Sequence, residues 1–479
     1  MITIARTSLF LGCLGVLAAC GGEREATPPD QRTPAAPTTP PTPTAPGEPS
    51  APTPAEPTAA PAAGSVATGC PATDPASVAL PGTVHEADVS GAETWTLAGS
   101  PHRLPGGVTL QTGASLTIEP CARVIVGDQQ GIWVSEGATL VAVGREGQPI
   151  TFDASSEDTA RGVWKTIHFA AGARAASKLH HVVIEEAGGD SGYPGAVYAE
   201  DGFVLDAQHL RIVRSGRNGV YLAGGARFAP GSTGLVVTES GTTEELTGPV
   251  RFNDASSVGS LPEGTYTGNA TDDIVVETER VRSTATWRNP GAGVRYRLMQ
   301  GLNVEGETGP ILTVAPGTTL AFAPETTLWV GYGADGGLVL DGGGEDGRIV
   351  LTSARPVPEP GDWSGVHFGE HASRAASKLS YVIIRFAGRA DGYDGIGCGD
   401  AAPAAITISG RDLGARIDHV KLEQLEPSSY AIARDYDAAA PTDYTAPALG
   451  MDFAGGQRCN QSTPRDAEGN CPETLPPCR

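Results

Sequence analysis

Residues 162–193 read GVWKTIHFAAGARAASKLHHVVIEEAGGDSGY, and residues 361–393 read GDWSGVHFGEHASRAASKLSYVIIRFAGRADGY. The run RAASKL stands unchanged at 174–179 and at 374–379. Trp164, His168, Phe169, Ala187, Gly188, Gly192 and Tyr193 match Trp363, His367, Phe368, Ala387, Gly388, Gly392 and Tyr393. The offset is 199 residues up to the Phe and 200 after it. A repeat this long, broken by one inserted residue, argues for duplication of a structural unit. Within it, apolar residues alternate for only three to five positions, as in Ile167, His168 and Phe169, so each strand is brief.

Working outward, LTIEP (116–120) and LTVAP (312–316) are short alternating strands stopped by Pro. Each leads to a second stretch (123–126 and 319–322), then to one holding Trp133 or Trp329. No segment keeps a helical period. With 64 Gly and 39 Pro in 479 residues, the chain suits many short strands and tight turns. A sandwich, a propeller and a solenoid all meet that description. A solenoid fits best, because Asn-Gly and Asp-Gly pairs do not close evenly matched hairpins and no four-strand blade period recurs.

The order LTIEPCARVIV, GREGQPITF, GVWKTIHF, SKLHHVVIEEAGG resembles bacterial right-handed parallel β-helix proteins of the pectin-lyase-like superfamily. LTVAPGTTLAF, GGEDGRIVL, GDWSGVHF and SKLSYVIIRFAG resemble them more closely, Cys121 standing where the pattern has Gly. The resemblance covers most of 90–435 and implies an all-β, right-handed parallel β-helix. Copy 1 is expected over 66–242, boundary rungs over 243–284, copy 2 over 285–451 and a Cys-containing C-terminal cap over 452–479. Stacked ladders including Ile167, Phe169, Val366 and Phe368 would form its core.

Residues 1–19 read as a targeting segment, with Arg6 ahead of an apolar run too short to span a bilayer comfortably. Leu17, Ala18, Ala19 and Cys20 resemble the lipobox of bacterial lipoproteins. The resemblance implies a lipoprotein signal peptide cleaved before Cys20, diacylglycerol on its thiol and, with Gly21 following, sorting to the outer membrane of a diderm bacterium. Residues 20–65 are rich in Pro, Thr and Ala, lack the apolar surface to offset chain entropy, and read as a disordered stalk. In polyproline II its reach is on the order of 100 Å. The net charge of −22 repels phosphate backbones, so nucleic acid is excluded as a partner, and contact with the membrane is expected only through the lipid. A monomer is expected.

Beyond Cys13 and Cys20, six cysteines remain: Cys70, Cys121, Cys398, Cys459, Cys471 and Cys478. They cluster toward the two ends of the solenoid, where its core needs capping, and suit an oxidising compartment. Of fifteen possible connectivities, the expected one is Cys70 to Cys121, Cys398 to Cys459 and Cys471 to Cys478. A zinc site is the rival, unsupported by any Cys-x-x-Cys pair.

The candidate chemistry is sparse. Strand alternation points His168 and His367 outward, either to bind metal with His180, His181 or His371 or to sit solvated on the surface. Asp190, Asp391, Asp394 and Asp400 lie in Gly-rich loops; Asp391 and Asp394 offer hard oxygens for Ca²⁺, though Asp and Gly are also ordinary turn residues. Trp164, Trp363, Tyr193 and Tyr393 could stack on sugar rings or pack at corners. Lyases of the superfamily use a basic side chain against a uronate, and this chain has only Lys165, Lys178, Lys378 and Lys421. Its hydrolases converge two or three Asp, for which the adjacent Asp272 and Asp273 are the nearest match.

These readings lead to a lipid-anchored, non-catalytic scaffold without a required cofactor, presenting a face to polysaccharide or surface proteins. A polysaccharide lyase or glycoside hydrolase is the alternative, and a purely structural envelope component the third. An enzyme needs converging titratable groups, a binder needs exposed aromatics in a row, and a scaffold needs neither.

Overall fold

Strands of two to six residues carry the chain, and in the computed structural model they stack into parallel sheets. The structure describes residues 69–70 and 82–474, except 156–159, 245, 393–396, 399–401, 410–412, 436–441, 456 and 467–468. These belong to one compact unit, Ser65–Arg479. Residues expected to form the signal, the lipidation site Cys20 and the whole of the stalk lie outside the described residues.

The pairing rule is simple: a strand pairs in parallel with the strand three places on. Ile132–Val134 pairs with Ile167–Phe169, which pairs with Gly195–Ala199, then Asn218–Leu222, then Val250–Phe252. Three strands therefore complete a coil, and the coils climb as a three-faced parallel β-solenoid. One face is an unbroken 12-stranded sheet from Val108–Leu110 to Lys421–Glu423. A 14-stranded sheet, whose two limbs both pair with Thr233–Thr238, supplies the other two faces of the first half. Sheets of seven and five strands supply those of the second.

Because parallel stacking is in register, identical faces of successive strands form ladders through the core. Ile167, Val197, Val220 and Val250 make one, and Val134, Phe169, Ala199, Leu222 and Phe252 another, all inaccessible to solvent. Val366 and Phe368 do the same against Ile406 and Ile408. Each Val, Ile, Leu or Phe among them contributes roughly 1.5–3 kcal/mol by leaving water.

The corners explain the repeated run. Ser177 and Ser377 are fully buried, and their hydroxyls accept from the amides of Leu140 (3.1 Å) and Leu338 (3.3 Å) on the neighbouring coil. Arg174 Nε donates to the Gly137 carbonyl at 2.6 Å. A serine here satisfies an amide that the turning ladder leaves over. At another corner Cys121 adopts φ 65°, and its repeat partner Gly317 adopts φ 74°. The left-handed backbone is what Gly317 serves in the second copy, and Cys121 accepts that conformation while bonding Cys70.

The two copies do not present the same motifs on the same faces. Arg123–Val126 lies in the 14-stranded sheet, whereas its repeat partner Thr319–Phe322 lies in the 12-stranded one. Ile132–Val134 lies in the 12-stranded sheet, and its partner Leu328–Val330 in the 7-stranded one. The segment between the copies adds coils that do not complete a whole number of turns, with the 3-10 helix Ala255–Ser260 taking one strand position. Copy 2 therefore begins one face further round the same solenoid.

The cysteine pairing differs from expectation at one end. Cys70 bonds Cys121, with Cα atoms 5.4 Å apart. Cys398 bonds Cys471 rather than Cys459, across 5.5 Å. The reason is that Cys459–Gln461 continues the last face as a strand beside Tyr430–Arg434. The chain beyond it then doubles back, the Cys398 amide donating to Thr463 O at 2.6 Å, and brings Cys471 to Cys398. Cys459 is disulfide-bonded elsewhere, so the expected Cys471 to Cys478 bond is also excluded; Cys478 itself lies outside the described residues.

Candidate binding face

The central residue of a three-residue strand points away from the core, and register aligns these residues as surely as it aligns the ladders within. Along the 12-stranded face in copy 1 the outward positions run Thr109, Trp133, His168, Tyr198, Tyr221 and Arg251. Trp133 meets His168 at 5.4 Å between ring centres, His168 meets Tyr198 at 5.3 Å, and Tyr198 meets Tyr221 edge-on at 5.2 Å. The Arg251 guanidinium caps the row, 4.2 Å over the Tyr221 ring. Trp133, Tyr193 and Tyr198 keep part of their surface in solvent.

Tyr193 joins from a loop, 4.9 Å from Trp133 and 5.0 Å from His168. That loop is held down locally. Gly188 and Gly189 donate to the carbonyls of Lys165 (2.7 Å) and Trp164 (3.0 Å), and Asp190 pairs with Lys165 at 3.3 Å. Asp190 also caps the Gly192 amide at 2.6 Å. A Cβ on Gly189 would stand 2.1 Å from the Gly162 carbonyl oxygen, so this approach requires glycine.

Polar groups rim the rings. His168 Nε2 lies 3.0 Å from Glu200, yet burial lowers the imidazole pKa more than that carboxylate raises it. Burial likewise raises the Tyr198 and Tyr221 pKa values, Glu200 and Glu277 adding to it, so both phenols stay protonated. Tyr221 donates to Glu277 at 2.8 Å, and Glu277 also accepts from Asn253 at 2.7 Å and from Arg251.

Copy 2 has a shorter counterpart on the 7-stranded face, where Asn303, Trp329, His367 and Thr407 align. Trp329 meets His367 edge-on at 4.4 Å and Tyr332 at 4.8 Å. Asp391 lies 3.6 Å from His367 Nε2 and accepts from Thr327 at 3.2 Å. Burial lowers the His367 pKa to about 4 against the pull of Asp391.

Several expected sites resolve differently. His168 and His367 do point off the core, but neighbouring rings cover them, leaving 8% and 3% exposed; they are not solvated surface residues. Trp164 and Trp363 are buried completely, their indole N–H groups donating to the carbonyls of Glu185 (2.7 Å) and Arg385 (2.9 Å). They plug corners and cannot stack on a sugar. Tyr393, Asp394 and Asp400 lie outside the described residues. Among the described residues no three His, Cys, Asp or Glu side chains gather closely enough to hold a metal ion.

The candidate catalytic lysines and Asp273 are held in ion pairs. Lys165, Lys178, Lys378 and Lys421 pair with Asp190, Asp206, Asp341 and Glu423, at 3.3, 3.8, 2.6 and 2.9 Å. Asp273 accepts both bonds of a bidentate pair with Arg295 at 2.8 Å, and Asp272 caps the Asn269 amide at 2.9 Å. Of these groups Lys421 has its pKa raised by the Glu423 carboxylate beside it, which keeps the ammonium charged.

Comparison with family models, with curated proteins and with solved structures finds no match to this chain.

The members of this row that the sequence reading did not single out are Trp133, Tyr198, Tyr221 and Arg251. Their signal is the triplet series IWV, IHF, VYA, VYL and VRF, each an apolar pair flanking one large residue.

Proposed function

We propose that this protein is a non-catalytic, lipid-anchored cell-surface scaffold that binds glycans along its aromatic row. The observation that carries the reading is the alignment of the partly exposed rings of Trp133, Tyr193 and Tyr198 along one face. Pyranose rings offer apolar C–H faces that lie flat on aromatic rings, and hydroxyls that meet carboxylates, phenols and guanidinium at the edge. Consecutive rungs stand about 4.8 Å apart, close to the length of one sugar unit, so a chain of sugars meets successive rings. Engagement of all four lysines by carboxylates favours binding over lyase chemistry.

The finer assignments complete this reading. Parallel crossovers overwhelmingly wind right-handed, and with the motif order of the repeats this supports reading the solenoid as a right-handed, pectin-lyase-like β-helix. Diacylglycerol on Cys20 would fix a monomer to the outer membrane of a diderm bacterium, and the Pro-rich segment 20–65 would hold the solenoid out toward polysaccharide.

The test is to titrate the purified protein with hexasaccharides of cellulose, chitin and polygalacturonate while following reducing ends and unsaturated-uronate absorbance. Binding without product, weakened about tenfold or more by Trp133→Ala or Tyr198→Ala, is expected; tenfold corresponds to about 1.4 kcal/mol. Product release, or binding indifferent to both substitutions, overturns the reading. For the anchor, Cys20→Ser should move the protein from the detergent phase to the aqueous phase.

A further inference from the structure

We propose that the protein is bivalent, carrying two glycan sites that look out from different faces of the solenoid, so that one molecule bridges two chains. This rests on the glycan-binding reading above and adds the number and placement of the sites. Each copy brings an indole and an imidazole together on adjacent coils: Trp133 with His168, and Trp329 with His367. In each, a tyrosine extends the indole platform, Tyr193 at 4.9 Å in the first and Tyr332 at 4.8 Å in the second. Tyr332 is 49% exposed, among the most exposed large side chains described.

Polar edges accompany both. Glu200 and the Arg251–Glu277 pair border the first. Glu305 borders the second, accepting from the Gly333 amide at 2.7 Å and from Asn303 at 2.9 Å, and Asn303 lies beside Trp329 on the preceding coil.

Had copy 2 followed copy 1 after whole turns, the two platforms would lie on one face and extend a single groove. The one-face advance prevents that: Trp133 belongs to the 12-stranded sheet and Trp329 to the 7-stranded sheet. They are also separated on the order of 35 Å along the axis, at about 4.8 Å per coil. On the first face the outward positions at the level of copy 2 are Arg297, Ala321 and Thr352, with no ring to continue the row. A straight glycan lying on the first site therefore stays on that face and does not reach the second. Two chains, or two segments of a folded one, are what the arrangement accommodates. On a surface crowded with glycan, such a molecule would act as a cross-link, with avidity governed by the spacing of the chains.

The experiment uses the same purified protein, with beads coated in whichever of the three hexasaccharides it binds and the free sugar as titrant. Two hexasaccharides per protein and agglutination of the beads are expected. Trp133→Ala with Tyr198→Ala should halve the stoichiometry and end agglutination while leaving one site. Tyr332→Ala should weaken only the other site, and because its ring is half exposed this variant keeps the fold. A stoichiometry of one, or loss of all binding on changing the first site alone, overturns bivalency and leaves the single-site reading standing. Failure to bind any of the three sugars overturns both.

Discussion

The imidazole of His168 lies 5.0 Å from the ring of Tyr193 and 5.4 Å from that of Trp133, so an outward-pointing residue is roofed by its neighbours. Its counterpart His367 is covered by Trp329 at 4.4 Å. Burial disfavours the imidazolium in both, lowering their folded-state pKa values below the ordinary 6.5. The unfolded chain then binds more protons than the folded one at mildly acid pH, and stability rises with pH there. The contribution of these histidines is fully present above about pH 6.5, and for His367 it falls away until pH reaches its folded value near 4. Urea midpoints measured from pH 7.5 to 4.5 should decline more steeply for the native protein than for the variant carrying His168→Gln and His367→Gln. Parallel curves would mean that the rings do not exclude water from these sites.

Trp164 and Trp363 fill corners completely, whereas Trp133 is only partly covered. Trp164→Ala and Trp363→Ala should each cost about 3–5 kcal/mol, since a large cavity and an unpaired carbonyl are left behind. Trp133→Ala should cost on the order of 1 kcal/mol, as expected for a ring that keeps part of its surface in solvent. Urea unfolding at pH 7.5 separates the two classes. Equal losses at all three positions would remove the distinction between corner plug and binding platform.

The sequence made the solenoid legible because brief alternation and a long repeat both survive in the linear chain. The core ladders through Ile167 and Phe169 follow directly from that alternation. The aromatic row did not, because its members are 23 to 35 residues apart and meet only through register. Repetition itself misdirected the choice of Trp164 and Trp363: these two are retained in both copies to fill the corner, while Tyr198 and Tyr221 belong to one copy alone. The histidines show a further limit. Alternation gives the direction of a side chain, but the loop carrying Tyr193, which covers His168, is a tertiary event.

The disulfide arrangement makes a direct analytical prediction. Proteolysis without reduction should release a fragment joining Cys398 to Cys471, separated by 73 residues of chain. Cys471→Ser should leave Cys398 as a free thiol and lower stability by about 2–4 kcal/mol, through the larger unfolded ensemble of the opened loop. A fragment joining Cys398 to Cys459 would instead mean that the tail does not double back past Thr463.

Gly189 tests whether the Tyr193 loop builds the platform. An alanine methyl would lie 2.1 Å from the Gly162 carbonyl oxygen, against rigid backbone, so the loop must lift away. Lifting it removes the ring that stands 5.0 Å from His168 and admits water to the imidazole. In Gly189→Ala the His168 pKa should therefore rise toward 6.5, read from the pH dependence of its ring proton resonances. Glycan affinity should fall together with it, while the core ladders through Ile167 and Phe169 keep the melting temperature within a few degrees. The paired change is the informative part. A lower affinity with the His168 titration unchanged would separate sugar contact from the roof, and an unchanged affinity would remove Tyr193 from the binding face.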